Sequence, residues 1–218
     1  PAFPHQEVFS LLQILLGFMY LVGFLLVPAT LFVIMLFIST LIRMPYLIGN
    51  LDFLALAFAF LVFHSGRPGI DDITGFSLFS HFKIPHHLLA PILRAGIGIS
   101  MMYLAFYEKI LNPHLSELVV DQYNLIQVVH VSPAMWVLGA GLVELLVGFF
   151  LVIGFYTRLV AVIAFLVLSL SFFFFKEAVF SHVTLFGILS LILINGAGYL
   201  SIDSWINRLK KPKVENSN

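Results

Sequence analysis

The chain has 218 residues, of which 61% are hydrophobic and only 10% charged, with 11 Lys+Arg against 11 Asp+Glu and a mean hydropathy of +1.05. Soluble domains carry about 25% charged residues, and a globule of this size cannot hide so much apolar surface from water. The chain is therefore read as an integral membrane protein, and disorder, collagen and coiled coil are excluded. With zero net charge and no continuous basic face, no nucleic-acid partner is expected.

A bilayer core about 30 Å thick needs about 20 apolar helical residues per crossing. From Val8 to Ile42 the chain is apolar and uncharged for 35 residues, too long for one helix, and Gly23 and Pro28 mark the turn between two. Spans are predicted at about 8–25, 28–43 and 47–64, the third ending at the breaker cluster Ser65-Gly66-Arg67-Pro68-Gly69. A polar connector from Ile70 to Ala90 follows, carrying His81, His86 and His87. Four more spans are predicted at about 90–110, 133–156, 158–175 and 179–196. Ser132-Pro133 is a good helix start and Gly196-Ala197-Gly198 a good stop. Ser201 to Lys210 reads as a short interfacial helix anchored by Trp205, and Lys210 to Asn218 as a frayed tail.

The predicted fold is thus all-α, a transmembrane bundle of about seven spans. Alternating the loops puts Arg67, Lys83, Arg94, Arg158, Arg208, Lys210, Lys211 and Lys213 on one face and Arg43, Lys109 and Lys176 on the other. That imbalance places the connector and C-terminus in the cytoplasm of a bacterial or archaeal cell, with the loop from Leu111 to Ser132 outside. Residues 1–30 lack the charged start and short apolar core of a signal peptide.

Laid over Gly141–Phe155, the segment Ser10–Phe24 matches Gly17 to Gly148, Phe18 to Phe149, Gly23 to Gly154 and Gln13 to Glu144. One residue out of that register, Gly66 falls on Gly196 and Asp52 on His182. The expected organisation is a duplication of parallel units. Residues 1–72 form a degenerate three-span unit and 73–89 the connector. Residues 90–204 form a complete four-span unit, and 205–218 the helix end and tail. The span missing from the first unit is expected before Pro1.

Arg94-Ala-Gly-Ile-Gly98, Glu108-Lys109, Glu144-Leu-Leu-Val-Gly148, Gly154-Phe-Tyr-Thr-Arg158 and Gly196-Ala-Gly-Tyr-Leu-Ser-Ile-Asp203 carry a family likeness. Through them residues 90–204 resemble DoxX/DoxD-type four-helix membrane proteins, and 8–72 do so in degraded form. The resemblance implies a membrane subunit of a redox complex. DoxD-like members form the membrane subunit of thiosulfate:quinone oxidoreductase, paired with a small DoxA subunit, and other members sit in redox-defence or assembly complexes. The first unit departs from the pattern, with Gln13 in place of the acid and Leu25-Leu26-Val27 in place of Tyr-Thr-Arg, so the second is the expected working unit.

The chain has no cysteine, so it builds no disulfide, iron–sulfur cluster, Cys₄ zinc site or thiol-redox motif. Electron transfer would rest on a quinone, a haem or a partner. Glu144 is the sharpest candidate residue, about 16 Å deep in its span, where a carboxylate must be paired or protonated. It is read either as a proton acceptor beside a quinone or as a packing hydrogen bond between helices. Lys109 and His182, near the outer ends of their spans, are expected to converge with it as catalytic groups. Glu144, Arg158 and His182 are the expected quinone ligands, with aromatic walls from Ser171–Lys176. Haem and metal ligation are disfavoured, because no span carries an HxxxH pair and His64 and His182 sit at opposite helix ends. In the outer loop, Leu115, Val119, Ile126 and Val129 recur at roughly helical spacing, as in an interfacial lid or a docking surface.

The first functional reading is a quinone-facing subunit of a thiosulfate:quinone-type oxidoreductase, with other membrane or periplasmic subunits as partners besides the lipid bilayer. The second is a non-catalytic accessory subunit of a larger respiratory or photosynthetic complex.

Overall fold

Each apolar run becomes a helix in the computed structural model, which describes residues 6–63, 85–127, 130–175 and 183–210. α1 (Gln6–Val22) and α2 (Leu26–Arg43) split the long N-terminal run at Gly23. A 3₁₀ segment, Pro45–Asn50, leads into α3 (Leu51–Phe63). A continuous helix from His86 to Leu111 follows. It opens as a 3₁₀ turn, becomes α4 (Leu89–Leu104), and widens into a π-helix over Ala105–Leu111. A short α5 (His114–Gln122) precedes α6 (Pro133–Ile153), α7 (Thr157–Phe175), α8 (Val183–Asn195) and α9 (Ile202–Lys210).

Four of these stretches are long and apolar enough to cross a membrane: Leu26–Arg43, Pro45–Val62, His86–Leu111 and Pro133–Ile153. Ser10–Val22, Thr157–Leu170 and Val183–Asn195 are shorter apolar helices. The architecture is a helical membrane bundle. Backbone polar groups have no water to turn to inside lipid, and the span hydroxyls follow the same rule. Thr30, Ser169 and Ser190 donate back to the carbonyls of Leu26, Phe165 and Phe186 at 2.7–2.8 Å.

α4 is the axis of the bundle and packs against α3, α6 and α8. The core joins Ala55, Ala59 and Val62 of α3 to Leu93 and Ile97 of α4, Leu151 of α6, Ala161 and Ala164 of α7, and Ile188, Leu189 and Ile192 of α8. Lipid tails are as apolar as leucine, so helices in a membrane associate where small residues let backbones approach. Gly98 and Gly148 are such a point, since a Cβ added to either would lie 2.6 Å from the other's carbonyl oxygen. α1 sits at the edge of the bundle with Leu11, Ile14, Phe18 and Leu21 turned outward. It is tied in by a Tyr20–Thr30 hydrogen bond of 2.9 Å and by Tyr20 against Phe60.

The α1–α2 and α6–α7 turns have one backbone conformation. Gly23 and Gly154 have φ of 71° and 68°, and Leu25 and Tyr156 have φ of 48° and 46°. The amides of Gly23 and Phe24 both reach the Met19 carbonyl at 3.0 Å, and those of Gly154 and Phe155 reach that of Phe150 at 3.0 and 3.1 Å.

The predicted helix signals act as expected at two points. Ser132 Oγ accepts from the Met135 amide at 3.4 Å with Pro133 in the first turn, and α8 stops at Asn195 with Gly196 at φ 73°. The outer loop is helical over α5, and Val120 and Leu125 are its buried anchors, packed with Val137 and flanked by Ile126 and Trp136. Leu115 and Val119 face outward, and Val129 lies outside the described residues. Arg94, counted above among surface cations, is 1% exposed.

Candidate functional site

The polar residues of the bundle gather at three levels along α4, and chain geometry explains each. At the π-helical end, a Cβ on Gly141 would lie 2.9 Å from Lys109 Cβ. That glycine lets the widened end of α4 lie against α6, and Lys109 runs along α6 to form an ion pair with Glu144. The side chains keep 22% and 24% of their exposure, so each charge is largely desolvated and answered by the other. π-helical turns inside α-helices recur at functional sites, and this one turns consecutive side chains to different neighbours. Lys109 faces α6, while Glu108 accepts a hydrogen bond from the Tyr46 hydroxyl at the start of the third span.

Three phenol rings complete that end. Tyr103 and Tyr107 stack with centroids 5.8 Å apart and planes 4° off parallel. Tyr46 stands edge-on to both, at 6.3 and 5.4 Å. α5 closes over this corner through Ser116 Oγ, which donates to the Glu108 carbonyl at 3.3 Å.

Midway along α4 lies Asp52, 3% exposed, at the junction where the 3₁₀ segment becomes α3. Its amide donates to Ser100 Oγ at 3.0 Å, and Thr184 Oγ1 donates to its carboxylate at 3.4 Å. The sequence reading paired Asp52 with His182 in the repeat and went no further. Its signal was available, as a charge inside an apolar run.

At the other end Arg94 passes beneath the α6–α7 turn. Its guanidinium donates to the carbonyl of Leu200 and, at 3.4 Å, to that of Leu151. A Cβ on Gly154 would lie 1.7 Å from Arg94 Nη1, so only glycine serves there. Asp203 reaches in from α9, its two carboxylate oxygens accepting from the Tyr156 and Thr157 amides at 2.8 Å each. Its own amide returns a bond to the Gly154 carbonyl at 3.0 Å. This carboxylate therefore caps α7 from another element. The segments around Arg94, Gly154 and Asp203, which carried the family likeness in sequence, form one latch in space.

Of the predicted site residues, Glu144 and Lys109 come together. Arg158 does not join them. It follows the α6–α7 turn, and from Glu144 to Gly154 alone α6 runs about 15 Å. Its Nη2 donates to the Ile194 carbonyl at 3.4 Å. His182, Lys176 and Glu177 lie outside the described residues. His86, His87, His114 and His130 are exposed, and among the described residues no group of three or more His, Asp or Glu is placed to hold a metal.

The family model described as DoxX matches residues 89–177, from α4 through α7. No curated protein and no solved structure matches the chain. The matched stretch contains Arg94, Lys109, Glu144, Gly154 and Arg158 and includes two of the helices long and apolar enough to cross a membrane, while the latch partner Asp203 lies beyond it.

Proposed function

We propose that this chain is the quinone-facing membrane subunit of a redox complex of the thiosulfate:quinone oxidoreductase type. The observation that carries the reading is the Lys109–Glu144 ion pair between two apolar spans, at the same end of α4 where the phenols of Tyr46, Tyr103 and Tyr107 cluster. A quinone site needs donors for two carbonyl oxygens, flat apolar walls, and a group that exchanges protons. The residues at the Lys109 end fit those needs, with an ammonium, three phenols, a stacked ring pair and two carboxyl groups. A quinone bound there supplies two-electron, two-proton chemistry. The protein's share is to bind and to move protons. Lys109 orients the Glu144 carboxylate and offers a hydrogen bond to an acceptor oxygen, and Glu144 is the group assigned to relay a proton. Arg158 is left out of the site.

With no cysteine of its own, the chain relies on a second subunit to oxidise the sulfur donor. α5, with Leu115 and Leu118 exposed, is the surface assigned to that subunit. The positive-inside rule puts the Arg94 end in the cytoplasm. The shared conformation of the turns at Gly23 and Gly154 supports a duplicated origin for the two halves.

The test is quinone reduction by the purified complex. Glu144→Gln is expected to lower turnover about 100-fold, the usual worth of a positioned acid or base, with the fold intact. Unchanged turnover sinks the assignment. A second reading, a non-catalytic accessory subunit, is favoured by the latch, because Arg94, Gly154 and Asp203 are all accounted for by packing and capping. Co-purification in a large complex that reduces quinone equally well without this chain would decide for it.

A further inference from the structure

A pocket of about 650 Å³ opens at the Arg94 end, between the first turn of α7, the end of α8 and the inner face of α9. That volume falls within the range of small-molecule sites, about 300–1,000 Å³. Its polar lining includes Arg158, Asn195, Asp203, Ser204, Asn207 and Lys210. We propose that this pocket binds the phosphate headgroup of an anionic phospholipid.

The charge pattern is the first argument. Asp203 is the acid of the lining, and both its oxygens are taken by the Tyr156 and Thr157 amides, with Arg94 on its far side. The two cations are uncommitted by comparison. Among the described residues neither Arg158 nor Lys210 has a carboxylate within ion-pair distance, the ion pair there being Lys109–Glu144. Arg158 spends one of its five N–H groups on the Ile194 carbonyl at 3.4 Å, and its guanidinium lies beside Gly196 at the pocket wall. A planar guanidinium with spare donors is suited to a phosphate. Arg208, by contrast, is engaged on the Tyr199 ring 4.4 Å away and lies outside the lining.

The second argument is place. α9 is amphipathic, with Asp203, Ile206, Asn207 and Lys210 on the pocket side. Trp205 and Leu209, 62% and 67% exposed, are on the other. A helix with that division lies in the bilayer interface, its tryptophan at headgroup depth. The pocket beneath it is then level with lipid phosphates, and basic pockets between spans on that side suit anionic headgroups.

The experiment is native mass spectrometry of the full-length protein, delipidated in mild detergent. It is offered phosphatidylglycerol or phosphatidylcholine of the same acyl length. The expected result is preferential retention of phosphatidylglycerol, weakened about fivefold by Arg158→Gln and about fivefold by Lys210→Gln, one interfacial cation each. Lys210 sits in the exposed last turn of α9, so its variant tests the pocket even where Arg158→Gln disturbs folding. Equal retention of the two lipids, or unchanged phosphatidylglycerol retention in Lys210→Gln, overturns the proposal. Inorganic phosphate is added as a competitor in a separate arm. Failure to displace the lipid supports a lipid site, and full displacement overturns it in favour of a soluble phosphate.

Discussion

Removing one partner of the Lys109–Glu144 pair is expected to cost more than removing both. A lone charge at the centre of a span costs about 2.5–3.5 kcal/mol on insertion scales, and less toward the span ends, where Lys109 lies. The two side chains retain 22% and 24% of their exposure, so about three-quarters of that penalty applies, or about 2 kcal/mol for Glu144→Leu, which strands the ammonium. Lys109→Met strands the carboxylate and is expected to cost about the same. The double variant strands nothing and replaces the pair with apolar side chains, a change that is often close to neutral. Its expected loss is under about 1 kcal/mol, which makes the coupling about 3 kcal/mol. The assay is equilibrium unfolding in mixed micelles of all four proteins, where a single variant shifts the folded-to-unfolded ratio about 30-fold. Losses that simply add, giving a double variant about 4 kcal/mol down, would refute the claim that the pair is desolvated and mutually dependent.

Three further changes probe the other levels. Gly154→Ala combines a left-handed backbone (φ 68°) with a Cβ 1.7 Å from Arg94 Nη1. It is expected to cost about 3 kcal/mol or to prevent recovery of monodisperse protein; a melting temperature within error of the parent contradicts the latch. Asp203→Ala leaves two first-turn amides of α7 without acceptors. The expected loss is about 1–2 kcal/mol in a thermal melt, with Asp203→Asn recovering part of it. Ser100→Ala unpairs the buried Asp52 amide, for an expected loss of about 1–3 kcal/mol in the same melt. No change there would mean that the amide finds another partner.

The membrane fold was legible because it rests on composition and run length, which any apolar span displays. Ser132-Pro133 and Gly196 were legible because a cap acts through the residues beside it. Glu144 was legible as costly, and Lys109 as near it, because both sit on single helices whose depth follows from counting. The latch was visible in part. Its segments stood out as motifs, yet Arg94 was counted as a surface cation because its acceptors are the carbonyls of Leu151 and Leu200. Every residue has a carbonyl, so such a bond leaves no mark in the sequence. The π-helix over Ala105–Leu111 has no side-chain signature either. The burial of Val120 and Leu125 against Trp136 and Val137 is a tertiary effect that local spacing does not encode.

The latch also sets a clock on synthesis. Arg94 lies 106 residues upstream of the Leu200 carbonyl it bonds. At about 5–20 residues per second on the ribosome, that separation is about 5–20 seconds. The Leu151 carbonyl arrives about halfway through that interval, and the Leu200 carbonyl and Asp203 only at its end. The latch is therefore the last contact of α4 to close, and a chain that stops short of Leu200 leaves the Arg94 guanidinium with one of its two carbonyl acceptors.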